Sequence, residues 1–300
     1  VAISGGTIVV GAPLEDSCTD AVVNDATDYD PENDNWCGGA GAAYVFVLGA
    51  SGWEVQAYLK AARSEGGENF GYSVSLHLDT VVVGAPHEEI IQAGSSGLRW
   101  TNRTLNGDSS YLASVLSGRA TMEYSIGAAY VFVRSGGVWT AQAYLKAPAP
   151  SRWDYFGWAV SVHDHTACVG APQNGNDVVR GGVVHCFVRI GPIWTWMSEL
   201  TGVNSDKDYF GSAVAIYGEM VVVGAQGDQS CSVTITDGRS AFPTSNDCGC
   251  VTPGNSGAVY VFTSFANGTT WHVKAPNANS VAGKCAEFGR SVSLTGSNRY

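Results

Sequence analysis

The sequence predicts an all-β chain, a β-propeller of four-stranded antiparallel blades, and three observations carry that expectation. A Phe-Gly pair recurs at Phe70-Gly71, Phe156-Gly157, Phe210-Gly211 and Phe288-Gly289, and a Gly-Ala-Pro triplet at Gly11-Ala12-Pro13, Gly84-Ala85-Pro86, Gly170-Ala171-Pro172 and, with Gln226 in the Pro place, Gly224-Ala225. The interval between the two is constant, 70 to 84, 156 to 170 and 210 to 224, although neighbouring spacings vary; one rigid supersecondary unit is repeated with loops attached. Each unit also holds four short apolar runs rich in β-branched residues and bounded by Gly, Asp, Ser and Asn, the pattern of strands and turns. Finally, Gly, with 38 residues, interrupts any helical spacing of apolar positions.

Taken in order, the repeats span 1–69, 70–155, 156–209 and 210–287, with a partial fifth at 288–300, and 1–300 reads as one propeller segment. In the second repeat strands are expected at Tyr72 to Leu76, Thr80 to Val83, Ala128 to Val133 and Val138 to Leu145. Four short strands per repeat suit a blade, whose faces are covered by its neighbours. The Gly residues of both motifs then stand where backbones crowd and a Cβ has no room, and Phe70, Phe156, Phe210 and Phe288 fill the space between blades. These residues are architecture rather than chemistry. Val1-Ala2-Ile3 matches Val74-Ser75-Leu76, so the first repeat lacks its own Phe-Gly, while Phe288 to Leu294 begin another repeat. Four blades and a starter strand of a larger ring are expected.

At these residues the chain resembles the FG-GAP repeat family, whose best known members are the seven-bladed propellers of integrin α chains. The similarity is greatest to repeats with Tyr-Val-Phe and Trp-Thr strands, here Ala129-Tyr130-Val131-Phe132 followed by Trp139-Thr140, which occur in secreted and surface proteins. The resemblance implies a seven-bladed ring and an extracellular or cell-surface location. Integrin-type repeats carry Asp-x-Asp-x-Asp-Gly calcium loops between the first two strands. The equivalent turns here are Leu78-Asp79-Thr80, His163-Asp164-His165-Thr166 and Tyr217-Gly218-Glu219, so those calcium sites are absent.

The eight Cys point to an oxidising compartment. Cys18 and Cys37 flank one insertion, Cys168 and Cys186 lie in consecutive strands of the third repeat, Cys231, Cys248 and Cys250 sit in another insertion, and Cys285 precedes the last Phe-Gly. An even number placed this way reads as disulfides. The expected pairs are Cys18 with Cys37 and Cys168 with Cys186; of the three pairings open to the rest, Cys231 with Cys248 and Cys250 with Cys285 is preferred because short loops close first. The rival, zinc, lacks its usual ligand spacing, Cys248-Gly249-Cys250 being the one close pair. Asn102-Arg103-Thr104 and Asn267-Gly268-Thr269 are N-glycosylation sequons in loops. No run is long enough to span a bilayer, and a net charge of −11 excludes a general nucleic-acid surface and disfavours anionic membranes as partners.

Function is expected in the connections between second and third strands. These are residues 14–40, 87–126, 173–181 and 227–256, three long and one short, and in a propeller they emerge on one face, the face that carries ligand in the integrin relatives. Candidate contacts are Trp36, Arg99, Trp100 and Tyr111, with Trp153 also outside the repeat positions; Trp53, Trp139, Trp194 and Trp271 each open a fourth strand and read as blade packing before sugar binding. The first connection is the most acidic, and Asp28, Asp30, Glu32 and Asp34 alternate as the ligands of a Ca2+ ion would. Against that, the loop lacks Gly at its sixth position and has Gly39 where an acid is needed, so a solvated acidic loop competes. His163-Asp164-His165, in a tight turn on the opposite face, offers a chelating or proton-transfer group against the plain reading of a polar turn.

No nucleophile elbow, phosphate loop or metalloprotease motif occurs, and the chain is not expected to be an enzyme. The sequence leads to a non-enzymatic extracellular interaction or adhesion module that binds protein or glycan through its long loops. The alternatives are a structural subunit of a cell-surface or flagellar filament or sheath, with the same loops joining copies of the chain, and an accessory propeller of a secreted hydrolase.

Overall fold

Among the described residues, four sheets of four strands follow one another along the chain. The computed structural model describes residues 1–20, 22–24, 36–62, 64–89, 125–173, 181–202, 207–228, 257–263, 270–273 and 288–295. The first sheet is β1 (Ala2–Ser4), β2 (Thr7–Ala12), β3 (Ala42–Gly49) and β4 (Gly52–Leu59); the second is β5 (Ser73–His77), β6 (Thr80–Ala85), β7 (Ala128–Ser135) and β8 (Val138–Leu145). The third is β9 (Ala159–His163), β10 (Thr166–Ala171), β11 (Val183–Ile190) and β12 (Ile193–Thr201), and the fourth β13 (Phe210–Tyr217), β14 (Met220–Ala225), β15 (Ala258–Thr263) and β16 (Thr270–Val273). Each sheet is antiparallel with its strands in chain order, and the described residues contain no helix.

The constant interval of the sequence has a simple origin. Each repeat begins with a hairpin closed by two residues, pairing Ser4 with Thr7, His77 with Thr80, His163 with Thr166 and Tyr217 with Met220. The first turn residue is left-handed in all four, with φ of 55° at Gly5, 52° at Leu78, 50° at Asp164 and 58° at Gly218, as the hand of a tight hairpin requires. Such a turn leaves no space for a calcium loop. At the open end of the hairpin Gly71 N–H donates to the Gly84 carbonyl and Gly157 N–H to that of Gly170, both at 3.0 Å. One inserted residue would move every side chain of the strand to the wrong face.

Apolar burial is organised by seams. Val9, Val45 and Leu59 of the first sheet meet Phe70, Val81, Val83 and Trp139 of the second; Val82, Val131 and Leu145 then meet Phe156, Val169, Phe187 and Trp194; Val184 and Leu200 meet Phe210, Val221, Val223 and Tyr260. A central strand such as β6 is therefore buried on both faces along its whole length, which is why it reads as a Val run and not as an alternation. The first strands of successive sheets lie against one another while the fourth strands scarcely meet, so the sheets fan outwards as the blades of a propeller. A bulge at the same place in three blades, before Phe46, Phe132 and Phe187, adds to the twist of the outer strand pair.

Backbone closes each seam, and only Gly permits it. Phe70, Phe156 and Phe210 donate their amides across the seam to the carbonyls of Ala40, Ile126 and Gly181 at 3.0, 3.0 and 2.8 Å. A Cβ on Gly11, Gly84, Gly170 or Gly224 would overlap the carbonyl oxygen of Gly71, Gly157, Gly211 or Gly289 in the next repeat. Each Phe-Gly is thus seated on the Gly-Ala-Pro of the blade before it. The Phe ring turns back to its own blade, Phe70 lying edge-on to Tyr130 at 5.2 Å and Phe210 to Tyr260 at 5.1 Å.

Two disulfides join the pairs expected from sequence, Cys18–Cys37 and Cys168–Cys186, the latter between directly opposed residues of β10 and β11. Cys231, Cys248, Cys250 and Cys285 lie outside the described residues.

The seam predicts a contrast between two glycines. Gly84→Ala drives a methyl group into the Gly157 carbonyl and is expected to cost about 3 kcal/mol or more. Gly136, with φ of 58° and nothing near its missing Cβ, bears only the left-handed penalty of about 1–2 kcal/mol when changed to Ala. Urea unfolding of the two variants measures both; equal losses would remove the steric argument.

Candidate functional site

The long connections leave the blades from a shared stalk. After Gly-Ala-Pro the chain turns, and the amides of Glu15, Glu88 and Asp228 each donate to the carbonyl of Ala12, Ala85 and Ala225 at 3.2 Å. The carbonyls of the same three residues accept the amides of Gly41, Gly127 and Gly257 at 2.8, 3.0 and 2.9 Å. Both ends of three long connections are thereby tied together where they meet the blade.

The side chains of those three acids point inwards. Glu88 accepts the Tyr130 hydroxyl at 2.6 Å and that of Tyr144, and faces Lys146 Nζ at 3.5 Å; Lys146 donates to the Gly127 carbonyl at 2.8 Å. In the first repeat Lys60 Nζ reaches Glu15 at 3.0 Å and the Ser17 carbonyl at 2.7 Å, and in the fourth the Tyr260 hydroxyl meets Asp228 at 3.3 Å. Buried charge is tolerated only when paired and hydrogen-bonded, and phenol and ammonium groups do both here. Sequence reasoning missed this set. Its signal was present as an acid two places after the Pro position in three repeats and as Tyr-Leu-Lys at Tyr58-Leu59-Lys60 and Tyr144-Leu145-Lys146. The third repeat, whose connection is short, has His185 in the tyrosine place; burial pushes its pKa down to about 4, leaving a neutral imidazole 3.7 Å from Glu199.

A second layer of acids comes from the turns that lead into each Phe-Gly. Glu68, Asp154 and Asp208 stand two residues before Phe70, Phe156 and Phe210, and all three are buried. Left-handed residues flank each of them, Gly67 and Asn69, Trp153 and Tyr155, Lys207 and Tyr209, a rare run of positive φ that aims the acid inwards. Asp154 Oδ2 accepts the Ser151 amide at 2.6 Å and Glu68 Oε2 the Glu65 amide at 3.2 Å. Burial, reinforced by the nearby Glu88 charge, pushes the Glu68 pKa up to about 9, so this carboxyl is protonated at neutral pH.

The other candidates divide between the two faces. Trp36 is 89% exposed beside Cys37 at the foot of the first connection, as an available contact would be. Arg99, Trp100, Tyr111, the acids Asp28, Asp30, Glu32 and Asp34, and both sequon asparagines, Asn102 and Asn267, lie outside the described residues. Trp139 and Trp194 are buried in seams, where their indole N–H groups donate to Gln56 and Gln142 of the preceding blade at 2.8 Å; Trp53 is half exposed and Trp153 partly so. The first connection does not stand wholly on the loop face. Val23 exchanges both backbone bonds with Tyr58, and Asn24 holds the Trp139 backbone with both side-chain atoms, so this segment covers the outer edge of β4 and satisfies polar groups an edge strand leaves open.

On the opposite face the tight-turn group differs from the one read in sequence. His163 does not act with His165, whose Nδ1 faces Arg189 at 3.0 Å. It stacks instead on His77 of the preceding blade, ring centroids 4.3 Å apart, with Asp164 against both rings. Burial holds the His163 pKa below the usual imidazole value, opposed by Asp164 and assisted by His77.

Comparison with known families accounts for the seam in other terms. A family description, the FG-GAP repeat, matches residues 53–97, 139–187 and 194–242. The chain carries FG-GAP repeats. Each match opens on a fourth-strand Trp, at 53, 139 or 194, and continues through the Phe-Gly and Gly-Ala positions of the following blade. The FG-GAP unit is therefore offset from the blade and straddles the seam, so that the family pattern records the blade-to-blade junction. FG-GAP propellers often take part in extracellular interactions. The comparison with curated proteins found no match.

The Glu68 carboxyl makes a pH prediction. Its proton leaves near 4.5 in the unfolded chain and near 9 in the fold, so its contribution to stability is full below 4.5 and is lost as pH rises through about 9. Glu68→Gln should remove that loss and unfold at higher urea concentration than the parent at alkaline pH, with little difference in acid. Parallel pH profiles for the two proteins would contradict the assignment.

Proposed function

We propose that this chain is a non-enzymatic extracellular interaction module that binds a protein or glycan through its strand-two-to-three connections. The carrying observation is the shared stalk: three connections of different length and composition are tied to their blades by the same pair of backbone bonds and an inward acid. A scaffold that holds its geometry while the loops differ is how recognition surfaces are built. The Cys18–Cys37 bond supports an oxidising, extracellular location, and the exposed Trp36 beside it supplies an apolar contact of the kind interfaces favour. The buried acids and lysines of the stalks are occupied with one another, which fits support in place of catalysis.

The stalk also dictates how the proposal is tested. Glu88 and residues 125–127 belong to the blade, so the segment 90–124 is replaced by a short Gly-Asn turn that leaves them in place. Shortening a loop between ends already tied lowers its closure cost by about 2 kcal/mol, and the variant is expected to unfold at or above the parent's denaturant midpoint. Binding of the parent to arrays of glycans and of extracellular proteins should disappear in the variant. Retained binding would place recognition elsewhere. A parent that binds neither array but sediments as long polymers would favour the filament or sheath subunit instead.

A further inference from the structure

The end of the fan opposite the loops carries a group of side chains with no role in the seam or the stalks. His77 closes β5 and His163 closes β9, equivalent positions of neighbouring blades, and the hairpin geometry that fixes all four turns brings their rings together. The left-handed φ of 50° at Asp164 lies in the next turn position, and its carboxylate spans the two rings: Oδ1 is 3.1 Å from His77 Nε2 and Oδ2 is 3.3 Å from His163 Nδ1. One donor atom from each of the three lies within 4.8 Å of the others.

We propose that His77, His163 and Asp164 form a binding site for one late first-row divalent cation, Zn2+ being the probe of choice, that bridges the second and third blades. Around a tetrahedral ion with bonds of about 2.0–2.1 Å, ligand atoms stand about 3.4 Å apart, and the Asp164 carboxylate already lies near that spacing from each imidazole nitrogen, through Oδ1 to His77 and through Oδ2 to His163. Two imidazoles and one carboxylate suit Zn2+, Ni2+ or Cu2+ and not Ca2+, which takes oxygen ligands in larger number. The site is open to entry, because the Asp164 side chain is 65% exposed and those of His77 and His163 are 23% and 15% exposed. By contrast, the Glu68 and Glu88 pair is closed by two tyrosines and Lys146 and offers no open position. The Gly218 amide, 3.3 Å from His163 Nδ1, is the contact that the ion displaces.

The consequence is mechanical. An ion held by β5 on one side and by β9 and its turn on the other staples one seam near the inner strands, and binding to the folded chain alone raises its melting temperature. Calorimetric titration of the purified chain with Zn2+ should show one saturable site, with a rise in thermal midpoint that a chelator reverses and Ca2+ does not reproduce. His77→Ala and His163→Ala should each weaken that site by about tenfold or more, although they sit on different blades. Asp164→Asn, which keeps the turn, should weaken it too and serves if a His variant folds poorly. His165→Ala should leave it unchanged. Absence of saturable Zn2+ binding, binding indifferent to His77, or an equal loss on His165→Ala, which would mean a local chelate within the turn, overturns the proposal.

Discussion

Everything else in this molecule depends on the place where Phe-Gly of one blade sits on Gly-Ala-Pro of the blade before. Two backbones approach there to a distance that excludes a Cβ, and the Phe amide crosses the seam to a carbonyl of the preceding blade. Apolar burial alone would let two sheets slide, because the hydrophobic effect has no direction. The seam bond has direction. Once it fixes how one blade meets the next, central strands such as β6 can be buried on both faces, and Trp139 and Trp194 arrive opposite Gln56 and Gln142 of the blade before.

The same constraint separates structure from function. Gly-Ala-Pro lies at the end of the second strand, so in three repeats the glycine that anchors the seam is followed four residues later by the acid that ties the loop stalk. Glu88 and Glu68 show the cost of this economy: two carboxyls share one buried region and one of them keeps its proton. Beyond the stalk, length and composition differ from repeat to repeat. The turns at the other end are held to two residues, which bars a calcium loop but brings the rings of His77, His163 and Tyr217, equivalent side chains of successive blades, against one another, while Ser4 at the same position of the first blade accepts the Leu78 amide.

The parts legible in the sequence were those encoded within one repeat. Phe-Gly and Gly-Ala-Pro stood out because a close approach of backbones leaves Gly as the one residue that fits, and Cys168–Cys186 was legible because both lie in adjoining strands. The acid after Gly-Ala-Pro was equally visible but looked like loop polarity until its tyrosine and lysine partners were seen around it. Partners on another blade left no local trace: Gln56 for Trp139, Asn24 for the Trp139 backbone, and His77 for His163. The histidines illustrate the difficulty, since His165 is near in sequence yet turns to Arg189, while His77 is distant in sequence and near in space.

The seam itself is open to direct measurement by amide hydrogen exchange. The amides of Phe70, Phe156 and Phe210, which cross between blades, should be protected as strongly as those of Val81, Val82 and Val83 in the centre of β6, because a blade buried on both faces does not outlast the seam that holds it. Exchange of the three Phe amides at the rate of an exposed turn such as Gly136-Gly137, with β6 still protected, would show that the blades stand without the seam and would contradict the account.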